Sequence, residues 1–185
     1  MADYRRNYVP GGTYFFTVVT ASRRPILTTD LGRECLREAI DEIKAKSPFT
    51  LFAMVLLPDH LHSVWMLPRG DSDYSTRWRQ IKEKFTRRYL ERGGTEATIS
   101  DSQKKKSERG IWQRRFWEHT VRDEGDLKRC VDYVHWNPRK HNVAARVQDW
   151  PWSTFHRFVK EGEYDLAWGG TDPCPNYDTP EWNDE

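Results

Sequence analysis

Two extended segments joined by a two-residue turn limit the possible folds more than any other feature of the sequence. Residues 49–57 are almost entirely apolar, which is typical of a buried strand. Pro58 and Asp59 favour a tight turn, and residues 60–66 follow directly as a second extended pattern. We therefore predict a β-hairpin over residues 49–66.

The second strand of this hairpin carries His60 and His62, within Pro58-Asp59-His60-Leu61-His62-Ser63-Val64-Trp65. Because side chains alternate across a strand, both histidines lie on one face, roughly 6.5 to 7 Å apart along the chain, and Leu61 points to the opposite face. One metal ion could bind between two such imidazoles. A polar sheet face without a ligand has the same pattern, so the pair alone leaves both interpretations open.

Extended and helical patterns alternate along the rest of the chain. Strands are predicted where β-branched and aromatic residues dominate, and helices where apolar residues recur with a period of 3.6. The predicted order is strand 13–20, helix 30–46, strands 49–57 and 60–66, helix 75–91, a strand within 111–122 and a last helix over 123–137. Thr29 or Asp30 could cap the first of these helices, and Ser75 the second. This order indicates an α+β, ferredoxin-like (βαββαβ) fold, an antiparallel sheet with helices on one face, followed by a C-terminal helix.

The length and composition fit one domain with a sizeable core. The chain has 185 residues, of which 37% are hydrophobic and 14% aromatic. No apolar run approaches the ~20 residues of a membrane span and the N-terminus lacks the apolar core of a signal peptide, so we expect a cytoplasmic protein. Cys35, Cys130 and Cys174 are odd in number and far apart, which argues against disulfides and a cysteine metal site.

The formal net charge of +2 conceals two regions of opposite charge. Residues 161–185 contain eight acidic residues and no Lys or Arg, whereas residues 1–160 contain 30 basic and 20 acidic residues. We predict a single basic domain over residues 1–160 that binds a polyanion, and a flexible acidic tail over residues 161–185. The tail is either simply solvated or competes with nucleic acid for the basic surface.

Two segments combine positive charge with aromatic residues. Between residues 77 and 92, seven cations face two acids, and residues 111–122 interleave arginines with aromatic rings. Cations and ring faces together suit the phosphates and stacked bases of a single strand of nucleic acid. A solvated helix and core tryptophans would produce the same patterns. The candidate DNA contacts are Arg5, Arg6, Arg77, Lys82, Arg114, Arg115 and Arg122.

Tyr133 lies on the last predicted helix but outside its apolar stripe. The stripe consists of Leu127, Cys130, Val131 and Val134. At ~100° per residue, Tyr133 lies about 110° from the stripe centre, and Asn137 lies beside it one turn later. Pro138 disfavours the helical conformation at Asn137, so we predict that the helix ends there. Most exposed tyrosines are inert, but this phenol could attack phosphorus if a metal ion on His60 and His62 polarised the phosphate.

Five motifs, in the same order along the chain, resemble those of a known family. The His60-Leu61-His62 sequence resembles the histidine, hydrophobic residue, histidine motif of the HUH single-tyrosine transposases. The full set resembles more narrowly the tyrosine transposases associated with repetitive extragenic palindromes (REP). The motifs are Tyr4-Arg5-Arg6 with Pro10-Gly11-Gly12-Thr13-Tyr14-Phe15-Phe16-Thr17, Leu57-Pro58-Asp59-His60-Leu61-His62, Trp112-Gln113 with Phe116-Trp117-Glu118-His119, Val131-Asp132-Tyr133-Val134-His135-Trp136-Asn137-Pro138, and Trp150-Pro151-Trp152-Ser153.

The resemblance implies a metal-dependent endonuclease and strand transferase that acts on single-stranded DNA in palindromic hairpins. Tyr133 matches the tyrosine that attacks the DNA backbone, leaving a 5′-phosphotyrosine and a free 3′-hydroxyl. His60 and His62 match the metal-binding pair, and Asn137 is similar in position to a third, amide-type ligand. The implied metal is Mg²⁺ or Mn²⁺, since the nitrogen ligands alone would also suit zinc.

The resemblance also shapes the expected partners. We expect hairpin DNA, no protein partner, a monomer in preference to a homodimer, and association with the nucleoid. Residues 93–110, predicted as a mobile loop, and the acidic tail over residues 161–185 are longer than is usual for the family. A non-catalytic hairpin-binding module and a domesticated regulator remain alternatives, although the presence of Tyr133, His60 and His62 favours catalysis.

Overall fold

The structure is a computed structural model of the chain, and it describes residues 6–105 and 109–170. The strands are β1 (Thr13–Val19), β2 (Thr50–Leu56), β3 (His60–Met66) and β4 (Trp117–Thr120). The helices are α1 (Asp30–Lys46), α2 (Tyr74–Glu91), α3 (Asp101–Lys105), α4 (Glu124–Lys140) and α5 (Phe155–Lys160). No helix in the described part of the chain is long and apolar enough to cross a membrane.

The four strands form one antiparallel sheet in the order β2-β3-β1-β4. The predicted hairpin is formed by β2 and β3, and β1 pairs with β3 along its full length, from Thr13 opposite Met66 to Val19 opposite His60. β1 therefore occupies the central position beside β3, and β4 is an edge strand. The predicted α+β, ferredoxin-like fold is confirmed.

The two faces of the sheet carry different layers of helix. On one face, the apolar stripes of α1 and α2 pack against Phe16, Leu61 and Trp65. On the other face, α4 packs its apolar residues against Phe15 and Val64. Strand alternation thus sends neighbouring residues into separate cores, and the C-terminal helix covers the face that α1 and α2 leave open.

Helix α1 begins where the sequence predicts, because the Thr29 hydroxyl accepts a hydrogen bond from Gly32 N at 3.0 Å and caps the first turn. Helix α2 begins one residue earlier than predicted. Its cap is Asp73, whose carboxylate accepts from Thr76 N at 3.0 Å, and not Ser75. The predicted loop over residues 93–110 contains the short helix α3, and residues 106–108 lie outside the described chain.

The end of α4 differs from the prediction in a way that matters for the site. The helix continues through Pro138 to Lys140 instead of ending at Asn137. Proline removes one N–H donor, but it lies in the last turn and is buried together with Trp136 and Asn137, so tertiary packing outweighs the local preference. The extra turn brings His141 to the helix end, where its N–H donates to Asn137 O at 3.0 Å.

Candidate active site

The alternation along β3 places both predicted histidines on the face that α4 covers. Leu61 packs into the core beneath α1 and α2, whereas His60 and His62 lie on the opposite side of the sheet, with 5% and 4% of their surfaces exposed. The centroids of the two imidazole rings are 5.0 Å apart. The shared face predicted from the sequence is therefore observed.

Each histidine is oriented through its Nδ1 atom. Thr17 on the neighbouring strand β1 hydrogen bonds to His62 Nδ1 at 2.8 Å, and Asp59 in the hairpin turn contacts His60 Nδ1 at 2.6 Å. Burial raises the pKa of Asp59, but hydrogen bonds and charges from His60 and Arg23 outweigh it and lower the pKa to about 2. Asp59 is thus an acceptor at neutral pH, and it fixes the His60 tautomer so that Nε2 carries a lone pair.

Burial keeps the imidazoles of His62 and His141 neutral. It is the largest cause that holds the pKa of His62 well below its usual range, with further lowering by the nearby His60, His141 and Lys140. The pKa of His141 is lowered to about 4, again chiefly by burial and then by His60. A neutral imidazole is the form that binds a metal ion, so the environment favours coordination.

Tyr133 lies on the same side of the sheet as the histidines. Its ring centroid is 5.2 Å from that of His62 and 5.8 Å from that of Phe15. The side chain is 9% exposed and belongs to the second core, although Tyr133 lies outside the apolar stripe read from the sequence. The buried surface of α4 is wider than the apolar stripe read from the sequence. Residues after α4, among them Trp150 and Tyr164, pack around the helix and cover further side chains.

Lys140 contacts the phenol directly. Its Nζ donates a hydrogen bond to Tyr133 Oη at 3.2 Å and lies 5.0 Å from the centroid of the Tyr133 ring. The two residues are seven positions apart on α4, which is two helical turns. A positive charge therefore lies beside the phenol oxygen, which the sequence predicts to be the nucleophile.

Two buried polar atoms, one on His62 and one on Asn137, make the site suitable for a metal ion. Asn137 is completely buried, and its amide nitrogen donates to Tyr133 O at 3.3 Å. Among the described residues, neither Asn137 Oδ1 nor His62 Nε2 has a partner with hydrogen-bond geometry, although the Asn137 side chain lies close enough to His62 to oppose the lowering of its pKa. A buried amide oxygen and a buried imidazole nitrogen each carry a lone pair that could coordinate a metal ion, and coordination would satisfy both atoms. The residues present thus fit a divalent cation.

His141 is a further nitrogen donor that the sequence analysis did not assign to the site. Its ring centroid is 4.8 Å from that of His60, and one ligand atom from each of His60, His62 and His141 lies within 4.8 Å of the others. Tyr133, Asn137 and His141 have i, i+4, i+8 spacing, which places them along one side of a helix. That signal was present in the sequence, but ending the helix at Asn137 hid it.

Three of the predicted DNA contacts, Arg6, Lys82 and Arg114, line one groove beside α2, and Arg122 is not part of its lining. Arg5 lies outside the described residues. Arg6 lies over the Phe116 ring at 4.4 Å and 3.7 Å from Glu118, and Lys82 donates to Gln113 O at 2.5 Å. Arg114 and Arg115 are exposed, and the largely exposed Arg122 contacts Asp126 at 3.4 Å.

Arg77 does not fit a role in DNA contact. It is 4% exposed, and its guanidinium donates to Ser47 O and Pro48 O after α1, to Asp73 O, and to the Asp71 carboxylate. All of these partners belong to the chain itself. Its physical role is to join the start of α2 to the end of α1, so we exclude it from the proposed DNA surface.

Part of the segment predicted as an acidic tail contacts the body. Tyr164 and Trp168 pack around Trp136 and Phe155, and Arg139 hydrogen bonds to Gly169 O. Tyr164 Oη also donates to the Asp132 carboxylate on α4. Residues 171–185, where the rest of the predicted tail falls, lie outside the described chain.

Several known proteins are similar to this chain in sequence and in fold. Residues 8–137 match the family model described as IS200-like transposase. The chain is 44% identical over 171 residues to the REP-associated tyrosine transposase of Escherichia coli (strain K12), covering 92% of each protein. It is 41% identical over 170 residues to a Haemophilus influenzae relative provisionally given the same name, covering 92% of this chain and 94% of that one. The solved structure of a REP-associated tyrosine transposase bound to a REP hairpin is similar with a TM-score of 0.75 and 42% identity, covering 94% of this chain and 95% of that one.

Proposed function

Because the chain belongs to the IS200-like transposase family, and within it to the REP-associated tyrosine transposases, we propose that it cleaves and transfers single strands at palindromic DNA hairpins through Tyr133. The observation that carries the proposal is the position of the phenol. Tyr133 and His62 have ring centroids 5.2 Å apart on one face of the sheet, so nucleophile and metal ligands can act on the same phosphate.

The proposed reaction exchanges one phosphodiester bond for another. Tyr133 Oη attacks phosphorus, and the bond from phosphorus to the 3′ oxygen of the preceding nucleotide breaks. The phenol loses its proton, and the departing 3′ oxygen takes up one proton, so the step is balanced. The products are a 5′-phosphotyrosine and a strand with a free 3′-hydroxyl. The energy of the broken bond is conserved in the adduct, so a 3′-hydroxyl can later attack it and complete strand transfer without an external energy source.

The proposed cofactor is Mg²⁺ or Mn²⁺, held by His60, His62 and Asn137. When bound, such an ion supplies Lewis-acid polarisation of a phosphate oxygen. The orphaned Asn137 Oδ1 and His62 Nε2 support this ligand set, and His141 offers an additional nitrogen. Asp59 and Thr17 hold the two strand imidazoles in a fixed orientation, which limits the reorganisation needed for binding.

Lys140 has a proposed positioning and electrostatic role. Its ammonium group donates to Tyr133 Oη, and the same contact would stabilise the negative charge that develops on this oxygen as the proton leaves. The proposed DNA contacts are Arg5, Arg6, Lys82, Arg114, Arg115 and Arg122. We propose that the enzyme acts on hairpin DNA as a monomer without a protein partner.

A nicking assay on a 5′- and 3′-labelled hairpin with single-stranded flanks tests the proposal. Wild-type protein with Mn²⁺ should release one labelled fragment and retain the other as a protein adduct that survives denaturing electrophoresis. Tyr133→Phe should lose both the fragment and the adduct, because it lacks the attacking oxygen, while still binding the hairpin. The matched control is Tyr8→Phe, at an exposed tyrosine of the N-terminal segment, which should behave as wild type.

The same assay separates the alternatives. A non-catalytic hairpin-binding module or a domesticated regulator would bind the DNA but give no metal-dependent cleavage with the wild-type protein. Adduct formation by Tyr133→Phe would instead show that another residue is the nucleophile.

A further inference from the structure

The hairpin turn that carries Asp59 lies beyond the end of the strand ladder. His60 is the first residue of β3 and its partner Val19 is the last residue of β1, so the register of the two strands ends at this pair. His62 lies two positions inside the ladder, opposite Thr17, which also hydrogen bonds to its ring. The orientation of His60 therefore depends on the loops next to the sheet and not on strand pairing alone.

Thr20 joins the turn after β1 to this hairpin turn. Its N–H donates to Asp59 O at 2.8 Å, and its hydroxyl lies 2.9 Å from both Asp59 O and Arg24 O. Thr20 is completely buried. Further along the chain, Leu27 N donates to Pro58 O at 2.9 Å. Residues 20–27 thus hold the backbone of the hairpin turn in place.

Two neighbouring residues of the turn after β1 have the left-handed backbone conformation. Ser22 and Arg23 have φ angles of 53° and 49°, in a region that residues other than glycine rarely adopt. Such conformations persist where the surrounding contacts over-determine them, and they cluster at functional sites. The turn sends two consecutive guanidinium groups to different partners. Arg23 Nη1 donates to Asp59 Oδ2 at 3.2 Å, whereas Arg24 donates to Thr95 O at 2.6 Å and to Thr95 Oγ1 at 2.7 Å.

The Asp59 carboxylate uses one oxygen for each of two neighbours. Oδ1 contacts His60 Nδ1 at 2.6 Å, and Oδ2 accepts from Arg23. A carboxylate that is held at both oxygens resists rotation about its Cβ–Cγ bond, so Oδ1 stays in place as the acceptor for the imidazole. The outer partners of a metal-binding histidine fix its ring orientation and tautomer, and the loss of such a partner lowers metal affinity by roughly 10- to 100-fold.

We propose that Arg23 is a positioning residue for the metal site, because it holds the Asp59 carboxylate in the orientation that fixes the ring and tautomer of His60. The inference deepens the proposed function and rests on it for the identity of His60 as a ligand. It assigns the left-handed turn after β1 to the site, and it makes a residue that binds no metal itself a determinant of metal affinity.

Electrostatic repulsion alone predicts the opposite effect. A guanidinium group next to a cation site repels the ion, so its removal would strengthen metal binding if repulsion dominated. The Arg23 side chain is 45% exposed, and solvent and salt therefore screen this repulsion. The orientation of His60 through Asp59 depends on short contacts that salt screens much less. The sign of the change in affinity thus distinguishes the two effects.

Calorimetry of Mn²⁺ binding to the full-length protein without DNA tests the proposal independently of catalysis. Arg23→Met should bind Mn²⁺ about tenfold more weakly than the wild type. The loss should persist between about 0.1 and 0.5 M KCl, where the Debye length shortens from ~10 Å to less than half of that. The matched control is Arg24→Met, which removes the same charge from the next residue of the turn and should bind Mn²⁺ like the wild type.

The tautomer of His60 is a readout that a general loss of stability would not change. Long-range ¹H–¹⁵N spectra of the metal-free protein should show His60 protonated on Nδ1 alone in the wild type and in Arg24→Met. Arg23→Met should show a mixture of the two tautomers, because the acceptor is no longer fixed. Arg23→Lys keeps the charge and a donor, so it should restore part of the Mn²⁺ affinity.

A double-mutant cycle tests whether Arg23 acts through Asp59. In an Asp59→Ala background, Arg23→Met should change Mn²⁺ affinity by less than about twofold, since the group that it positions is already absent. Equal costs of Arg23→Met in the two backgrounds would overturn the proposal. Wild-type or stronger Mn²⁺ binding by Arg23→Met, together with a single His60 tautomer, would also overturn it.

These outcomes are distinct from failure of the proposed function. If the wild-type protein binds Mn²⁺ but never cleaves DNA, and Arg23→Met binds the ion more weakly, the catalytic assignment fails and the role of Arg23 stands. If cleavage occurs and Arg23→Met matches Arg24→Met in affinity and tautomer, only the role of Arg23 fails.

Discussion

At the scale of single residues, the contact between Lys140 and Tyr133 places a positive charge beside the phenol oxygen that we propose as the nucleophile. Lys140→Met removes the charge and the hydrogen-bond donor but keeps an unbranched side chain. We expect adduct formation under single-turnover conditions to slow on the order of 100-fold, because negative charge developing on the phenol loses its partner. The measurement is the rate of adduct formation at saturating DNA.

Two further variants distinguish this effect from a loss of structure. Lys140→Arg should restore part of the rate, since it keeps the charge. Lys160→Met, at an exposed lysine of α5, should react like the wild type. A wild-type rate for Lys140→Met would exclude the electrostatic role.

The ligand atoms around His62 support a second prediction at this scale. Mn²⁺ binding in the absence of DNA, measured by calorimetry and electron paramagnetic resonance, should disappear in the His60→Ala, His62→Ala double variant. Asn137→Ala should weaken binding by at least about tenfold, because it removes the buried amide oxygen. Unchanged affinity in the double variant would contradict the site. If Mn²⁺ affinity fell in His141→Ala but not in Asn137→Ala, the third ligand would be His141 and not Asn137.

The sequence was sufficient to place His60 and His62 on one face, because alternation along a strand depends only on the local backbone. The sequence was not sufficient to predict the burial of Tyr133, because the residues that cover it belong to the later segment 150–168. His141 was missed because proline disfavours the helical conformation of the residue before it, so the helix was expected to end at Asn137. In the structure, the buried residues around Pro138 hold the helix together to Lys140.

At the scale of elements, Arg77 holds α2 to the end of α1, and this predicts a large effect on stability. Arg77→Met leaves Ser47 O, Pro48 O and the Asp71 carboxylate without their donor. We expect a loss of about 1–3 kcal/mol in the free energy of unfolding, because the carbonyl oxygens lose their donor, whereas the Asp71 side chain is 31% exposed and remains hydrated. Urea unfolding followed by circular dichroism measures it.

The matched control is Arg79→Met, two residues along the same helix, where the side chain is 67% exposed. Its unfolding free energy should change by no more than about 0.5 kcal/mol. If Arg77→Met were as stable as this control, the structural role of Arg77 would be wrong and DNA contact would have to be reconsidered.

Most elements were predictable because each carries its own periodic signal and its own boundary residues. The bounds of α1 and β3 follow from Thr29 and from the Pro58-Asp59 turn. The cap of α2 was misassigned because Asp73 and Ser75 are both good caps, and only the geometry shows which carboxylate or hydroxyl reaches a free N–H. The basic face of α2 was also misjudged in part, since its ion pairs with α1 come from residues about 45–55 positions away.

At the scale of the whole molecule, His135 links α4 to the chain that follows it. His135 Nε2 and Thr154 Oγ1 share a hydrogen bond at 2.9 Å, and Thr154 also accepts from Met54 N of β2 at 2.9 Å. Burial, followed by the charges of Arg157 and His156, lowers the pKa of His135 to about 3. The imidazole is therefore neutral in the folded protein.

This burial predicts a loss of stability in acid. An unfolded histidine binds a proton near pH 6.5, so below that pH the unfolded chain takes up more protons than the folded one and the unfolding free energy falls until about pH 3. His135 alone accounts for a loss of about 2 kcal/mol at pH 5. Urea unfolding in EDTA at pH 7 and pH 5 should show a smaller difference for His135→Gln than for the wild type. An identical difference would contradict the assignment.

The whole arrangement places a helix layer on each face of one sheet, and Tyr133, the proposed nucleophile, lies in the core beneath the second layer. The order of elements predicted the sheet and the extra helix, because the antiparallel pattern is common and chain order constrains it. It did not predict that Tyr164 and Trp168 would pack against α4, since no periodic signal marks irregular segments that pack over a helix.

The most direct test of the central claim is the chemical identity of the adduct. After reaction of the wild-type protein with a flanked hairpin and Mn²⁺, nuclease and trypsin digestion should leave a nucleotide on the peptide of residues 130–139. Fragmentation in the mass spectrometer should place it on Tyr133 through its 5′-phosphate. Cleaved DNA with a free 5′-phosphate and no modified peptide, or a nucleotide on any other residue, would contradict the account.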